Sequence, residues 1–365
     1  MDWHLTDSGK KYIILSKQIQ GGGVMIISKR AIGILLILML VVSLVSLSFF
    51  SACAPKEEKP QEEEGVKKVF FGIATGGTGG TYFPVGGAIA QVVSNFADYD
   101  NVDVVATAQT SGASVANCNL IGKHEIESAF AQNNVVYWAY TGTEIFKDKE
   151  PIKNLRVIAS LYPETIQIVA LKKSGIKTVE DLKGKKVAVG DVGSGTEVDA
   201  RTILNLHGIT YDDIDEQYMS FSEATDALKD ERIDAAFVTA GYPTSSIVSL
   251  ATTKDIVLVN ITPEMVQKLV KEVPYYAPAT IPAGTYKGQD EDVTTVTCLA
   301  QWVCDADLDE DLVYNVTKAL WEHRDFVEKV HAKGKDITLE TALDGVAIPL
   351  HPGAEKYYKE KGLIH

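Results

Sequence analysis

Two short stretches gather glycines and small hydroxyl residues in a way that suits an anion. The first, Gly72 to Gly86 (GIATGGTGGTYFPVG), carries glycine pairs at 76/77 and 79/80 with Thr75, Thr78 and Thr81 between and beside them. Paired glycines let backbone N–H groups approach a ligand and permit positive φ, and a helix starting just beyond would turn its positive end to the same place. The second, Gly193-Ser194-Gly195-Thr196-Glu197, repeats the arrangement between a predicted strand and a predicted helix. There Ser194 or Thr196 reads equally well as a helix N-cap, which is compatible with binding because other first-turn N–H groups stay free. Thr110-Ser111-Gly112 and Gln132-Asn133 form comparable polar tips. A nucleotide phosphate is excluded: no Gly-Lys-Ser/Thr completes a phosphate loop, and Tyr82 spoils a GxGxxG spacing. A small carboxylate, or a merely tight turn, remains open on the residues alone. Tyr82 favours binding, since a ring with a hydroxyl lines a pocket and hydrogen-bonds at once.

Catalysis has no such support. The chain lacks HExxH, GxSxG and CxxC, and His323, His331 and His351 stand at no recognisable spacing from a nucleophile. We expect a binding protein with no catalytic residue, metal or cofactor.

The 365 residues, long enough for one large or two medium domains, carry 49 acidic against 35 basic side chains and a formal charge of -14. That excess repels nucleic acid and anionic membranes, so an anionic ligand must be held by local backbone donors. Ala31 to Phe50 is an uncharged apolar run preceded by Lys29-Arg30 and followed by Ser51, Ala52 and Cys53. A basic start, an apolar middle and small residues before a cysteine predict a lipoprotein signal over 25–53, with Cys53 lipidated and anchored in the membrane; an uncleaved anchor is the alternative. Either places the body of the protein outside the cytoplasmic membrane, in the periplasm or on the cell surface. Residues 1–24 are expected to be untranslated or an extended n-region, because the GG-rich codons of Gly21-Gly22-Gly23 suit a ribosome-binding site ahead of Met25. Residues 54–66 read as a flexible, charged tether. Cys118, Cys298 and Cys304 are an odd number, which argues against a disulfide framework and for buried thiols.

The elements that must position these loops alternate between strand and helix, the pattern of an α/β protein with mainly parallel sheets. Strands are predicted at 66–74, 102–110, 126–133, 186–190, 234–241, 254–261 and 293–304. Helices are predicted at 85–96, 179–182, from 196, and at 222–233. A long extended run, 155–173, is broken by Tyr162-Pro163, and a tail helix spans 308–333 with Leu312, Val316, Ala319, Leu320 and Phe326 near one face. Two sets of strand-loop-helix units, each with small polar residues at the strand's carboxyl end, suggest two lobes facing one another.

The ordered region resembles the TAXI family of solute receptors, the binding components of a branch of TRAP transporters. The resemblance rests on pieces that occur in family order: ATGGTGGTYFPVGGAIA (74–90), TSGASVANCNLI (110–121), AFAQNNVVYWAYTG (129–142), LRVIASLYPETIQIV (155–169), DLKGKKVAVGDVGSGTE (181–197), RIDAAFVTAGYP (232–243) and PLHPGAEKYYKEKG (349–362). It departs at Cys118-Asn119, and at Gln132-Asn133-Asn134, where an acidic residue is common. The resemblance implies a two-lobed periplasmic-binding-protein fold with two interlobe crossings, lobe 1 being 67–161 plus 270–365 and lobe 2 162–269. Its hinges would be Tyr162-Pro163 and a return crossing around 260–280. It also implies a ligand such as glutamate or a dicarboxylate and a TRAP permease driven by an ion gradient, with an ATP-driven importer or a sensor kinase as the alternative partner. Carried onto this chain, Thr75, Gly76, Gly80 and Thr81 on one lobe and Ser194, Gly195 and Thr196 on the other hold the carboxylate. Ser111 lies at a neighbouring strand tip, Tyr82, Gln132 and Tyr242 shape the pocket, and Glu164 and Glu197 are available to a ligand ammonium.

Overall fold

The computed structural model describes residues 66–365; the predicted signal segment, the lipidation site at Cys53 and the tether as far as residue 65 lie outside the described residues. The strands are β1 (Lys67–Ala74), β2 (Val102–Gln109), β3 (Ser128–Gln132), β4 (Leu155–Leu171), β5 (Lys186–Gly190), β6 (Asp215–Tyr218), β7 (Ala235–Ala240), β8 (Ile256–Leu258), β9 (Ala277–Ile281) and β10 (Val293–Asp305). The α-helices are α1 (Tyr82–Phe96), α2 (Ser114–Gly122), α3 (Asn133–Thr141), α4 (Gly195–Leu206), α5 (Phe221–Lys229), α6 (Ser245–Thr253), α7 (Pro263–Glu272), α8 (Glu310–Glu322), α9 (Arg324–Val330) and α10 (Pro352–Glu360).

The strands hydrogen-bond in the order β2-β1-β3-β10-β4-β7-β5-β6, with β8 added to β4 and β9 to β10. Toward each end of this path the pairing is parallel, β1 with β2 and β3, and β5 with β6 and β7. In the middle, β4 and β10 run antiparallel to each other and to their neighbours. Both are long because each passes through two lobes. Core membership along β4 shows the passage: Leu155, Val157, Ile158, Leu161 and Tyr162 pack in the first lobe, whereas Ile166, Ile168 and Ala170 on one face and Val169 and Leu171 on the other pack in the second, as a period of two requires.

Each lobe buries both faces of its part of the sheet. In the first, α1, α8 and α10 cover one face around Phe71, Ile89, Trp302, Leu320 and Tyr357, and α2 and α3 cover the other around Ile121, Val135 and Val303. In the second, α4 and α7 pack over Val189, Ile203 and Leu269, and α5 and α6 over Leu228, Val238 and Ile247. The α/β class, the two lobes and the two crossings are those expected. The return crossing lies later than 260–280: Tyr276, Val296 and Cys298 belong to a core of the second lobe, and the chain returns along β10. A boundary drawn at 269/270 by the spacing of motifs therefore falls short of the boundary drawn by core membership.

Pro163 does not break the extended run. It pairs opposite Leu299 inside β4, while pairing of β4 with β7 starts only at Thr165, so no neighbour on that side needs the missing N–H. The tail is two helices, α8 and α9, divided at His323, whose φ of -127 leaves the helical range. Cys118, Cys298 and Cys304 are buried free thiols.

In α10, the α-carbon of Gly353 lies against the backbone of α8 at Glu310 and Tyr314, leaving no space for a methyl group. Gly353→Ala should force the two helices apart and cost about 1–3 kcal/mol, read as a lowered midpoint of chemical denaturation. An unchanged midpoint would mean that the helices shift freely.

Candidate functional site

A cavity of about 50 Å³ lies where the lobes meet. A water needs roughly 10–15 Å³ of such space, so the cavity takes a few waters or one compact solute. The first turns of four helices line it: α1 through Tyr82, α2 through Ser114, α4 through Gly195 and Thr196, and α5 through Phe221. Each follows the carboxyl end of a strand, which is why small residues recur at these joints.

The local sequence explains the convergence. At the joint of β5 and α4, Gly190 adopts φ +104, and a side chain there would meet Ser194, Thr196 and the Glu197 amide. Ser194 then caps α4, accepting from Glu197 N at 3.1 Å, and still lines the cavity, so both readings of this hydroxyl hold. Ser220 and Glu223 form a capping box on α5. By contrast α1 has no side-chain cap and no acid in its first turn, so its leading N–H groups lack a built-in acceptor, whereas α2, also without a side-chain cap, has Val115 N and Ala116 N donating to Gly193 O of the other lobe. Ala113, the residue before α2, is held at φ 63, ψ -149, a conformation comfortable only for glycine. Asn117 ties this corner together: its Nδ2 donates to Thr75 O at 2.8 Å and Phe130 O at 2.7 Å, joining α2 to the ends of β1 and β3.

Against these positive helix ends stand acids. Glu164, on β4 between the lobes, lines the cavity and accepts from the Tyr82 hydroxyl at 2.8 Å. Burial pushes its carboxyl well above the usual range, the Tyr82 hydrogen bond pulls it back, and the charge of Asp199 raises it further. Asp191 also lines the cavity, half-buried, and is raised by burial and by the charge of Glu223. No Lys, Arg or His is among the lining residues. Two buried atoms of lining residues, Gln132 Oε1 and Thr239 Oγ1, have no hydrogen-bond partner among the described residues.

The lobes touch directly around this space. Thr81 Oγ1 donates to Gly241 O at 3.0 Å, Ser246 N to Gly79 O at 3.3 Å, and Val115 N and Ala116 N to Gly193 O, both at 3.0 Å. Gln132 Nε2 on β3 donates to Asp199 Oδ2 on α4 at 2.9 Å. The α-carbon of Gly80 faces the Phe221 ring, and that of Gly195 faces the Gln132 amide, with no room for a methyl group at the latter.

The residues expected from sequence divide clearly. Gly76, Gly80, Thr81, Tyr82, Ser111, Gln132, Glu164, Ser194, Gly195 and Thr196 all line the cavity. Thr75, Glu197 and Tyr242 do not. Thr75 lies beneath the loop, its hydroxyl donating to Gln109 O at 2.7 Å. Glu197 is taken up by Arg201 at 2.9 Å and the Tyr211 hydroxyl at 2.8 Å, leaving nothing for a ligand ammonium. Tyr242 lines a separate groove with the Lys333 ammonium 4.4 Å from its ring centre. Sequence reasoning missed Ser114, Asp191, Ser220, Phe221 and Thr239. The S-x-x-E box at Ser220 was a legible signal; Asp191 and Thr239 become site residues only through strand pairing.

Residues 73–362 match the model of the NMT1-like family. Among solved structures, a protein of Bordetella bronchiseptica RB50 is 19% identical, with 80% of this chain and 81% of that one covered and a TM-score of 0.49. A binding protein component of an ABC phosphonate transporter from Pseudomonas aeruginosa is 11% identical over 77% and 83%, TM-score 0.47. The alkanesulfonate-binding protein SsuA from Xanthomonas axonopodis pv. citri, bound to MOPS, is 13% identical over 81% and 84%, TM-score 0.42. These likenesses are too distant to carry a ligand or a partner across.

The contact of Gln132 with Gly195 gives a test of closure. Gly195→Ala should hold the lobes apart while leaving each core intact, seen as a larger radius of gyration in X-ray scattering with an unchanged thermal midpoint. A radius equal to that of the parent would show that the lobes meet without this contact.

Proposed function

This chain belongs to the NMT1-like family, and we propose that it is an extracytoplasmic solute-binding receptor that captures a small amino acid or dicarboxylate and passes it to a membrane permease. One observation carries the reading: a buried interlobe cavity has the uncapped N-terminus of α1 on one side, the carboxyl groups of Glu164 and Asp191 without a cationic partner on another, and no cationic side chain among its described lining residues. Helix ends favour a carboxylate, each by roughly 0.3–1 kcal/mol or more when partly buried. Glu164 and Asp191 favour an ammonium. Thr81, Tyr82 and Ser194, with the backbone of Gly76, Gly80 and Gly195, would hold the carboxylate end, and Glu164, Asp191 and Gln132 the ammonium end. Thr75, Glu197 and Tyr242 are left out of this set. The apolar run ending at Cys53 supports tethering to the membrane outside the cytoplasm.

A ligand ammonium beside Glu164 stabilises its ionised form, lowers its pKa and expels a proton. Calorimetry with L-glutamate should therefore show proton release near neutral pH, read as a heat that varies with buffer ionisation. In Glu164→Gln the release should shrink to what Asp191 and Asp199 supply and amino-acid affinity fall about 10- to 100-fold, the worth of a charge-assisted hydrogen bond. Binding of a neutral sugar but of no carboxylate in a solute panel would overturn the reading.

The partner we propose is a TRAP permease of the TAXI type, supported by the TAXI-like pieces in order from residue 74 to 362. Vesicles holding the cognate permease should take up solute only with receptor added and only with an ion gradient. Dependence on ATP instead would assign the receptor to an ABC importer.

A further inference from the structure

Gln132 ends β3 with its side chain between the cavity and the second lobe, only 2% exposed. Its Nε2 donates to Asp199 Oδ2, and its Oε1 has no partner among the described residues. Packing against the Gly195 α-carbon confines the amide. An ionised carboxylate can only accept hydrogen bonds, so it compels the amide to offer its NH₂ group and turns the carbonyl oxygen toward Gly195, itself a lining residue of the cavity. We propose that Asp199, which does not itself line the cavity, is a positioning residue that sets the hydrogen-bonding polarity of the cavity wall through Gln132. The inference rests on the binding reading above and narrows its substrate class.

With Asp199 ionised, the wall presents Oε1, and the site selects a solute that donates there: an ammonium, an amide or a hydroxyl. With Asp199 protonated, its O–H donates to Oε1, the amide turns over, and Nε2 faces the cavity as a donor to a carboxylate or carbonyl of the solute. Either orientation leaves one end of the amide unpaired when the cavity is empty, at a cost of about 1–3 kcal/mol that a matching solute removes.

The surroundings of Asp199 suit a group that changes charge. The Tyr276 hydroxyl, from the segment before β9, donates to Oδ1 at 2.5 Å and can do so whichever way the proton on Oδ2 stands. Thr239 on β7 lies close by. The other titratable neighbours are Glu197 on the same helix, Glu164 on β4 and the Cys298 thiol on β10, and none of these is cationic. Burial pushes the Asp199 carboxyl up to about 6, against the pull of the hydrogen bonds from Tyr276 and Gln132 and of the nearby Thr239 hydroxyl. Both wall polarities are thus reached within ordinary extracytoplasmic pH.

The test starts without any solute. NMR of the Gln132 side-chain amide protons, identified by their loss in Gln132→Met, should show contacts to the Asp199 and Tyr276 side at about pH 8 and to the cavity side at about pH 5. The change should have a midpoint near about 6; a single pattern throughout overturns the proposal. Affinity is then compared within two matched pairs, L-glutamate with 2-oxoglutarate and L-glutamine with L-glutamate, which differ by a donor or an acceptor at one position. In the wild type the ratio within at least one pair should shift about tenfold toward the acceptor between these pH values. Asp199→Asn offers Gln132 an NH₂ while its oxygen still accepts from Tyr276, so in the L-glutamine and L-glutamate pair, whose shared ammonium cancels any proton linkage through Glu164, its ratio should stay at the low-pH value throughout. A ratio that follows pH in the variant as in the wild type overturns the proposal. If no probe binds the wild type, the carboxylate reading falls and the NMR pattern decides this proposal alone.

Discussion

The pairing of β4 with β10, from Thr165–Thr297 to Leu155–Asp305, is the contact on which the rest of the structure depends. Both lobes are built outward from these two strands, so their carboxyl-end loops are brought to face each other by the sheet itself. Register shifts next to Gln301 and Val303 let the strands turn between lobes without losing their pairing. The same geometry puts Glu164 in the cavity. It lies at the midpoint of β4, where the strand leaves one core and has not entered the next, so its side chain meets solute space instead of apolar packing.

A cavity made this way has an uncommon electrostatic character. Its positive potential comes from backbone ends and its negative groups are side chains, the reverse of a site that grips an anion with arginine. Backbone N–H groups cannot move away or be neutralised, whereas carboxyl groups can take up protons. With Glu164 and Asp199 both raised by burial, and each raised further by nearby acid, the empty site answers its own acidity by holding protons. The overall charge of -14 is consistent with this: nothing on the exterior concentrates anions, so recognition falls to the cavity.

Much of this was legible in the residues. Glycine and hydroxyl clusters at strand ends marked the loops, because only small residues let helix ends approach one another, and ten of the expected ligand residues do line the cavity. What failed was side-chain direction. Glu197 and Thr75 sit in the right loops, but Glu197 points along α4 to Arg201 and Thr75 bonds to the neighbouring strand. Tyr242 follows a correctly placed strand and turns to another groove. Helix α3 has no counterpart among the predicted helices, and its first residue falls in the strand predicted over 126–133: Gln132 ends β3 and Asn133 already starts the helix, a change that no Gly or Pro announces. The lobe boundary was missed because β9 and the start of β10 contribute few residues to any motif, yet bury Ile281 and Val296 in the second lobe.

Closure is the step at which these features act together. The direct interlobe bonds, among them Thr81 to Gly241, Ser246 to Gly79 and Gln132 to Asp199, each contribute about 1 kcal/mol. Closing also buries Gln132 Oε1, Thr239 Oγ1 and the Glu164 carboxyl without full partners, and each unsatisfied group opposes closure by a similar or larger amount. The strained backbone of Ala113 sits at the same corner. These penalties offset part of what the interlobe contacts contribute. A solute decides between open and closed by what it relieves: it gives partners to the buried polar atoms, while the interlobe bonds are formed by the protein itself. In the function proposed above, the chain recognises its solute by the pattern of groups left unpaired when the lobes meet, and a solute that fills the space without pairing them leaves those penalties in place.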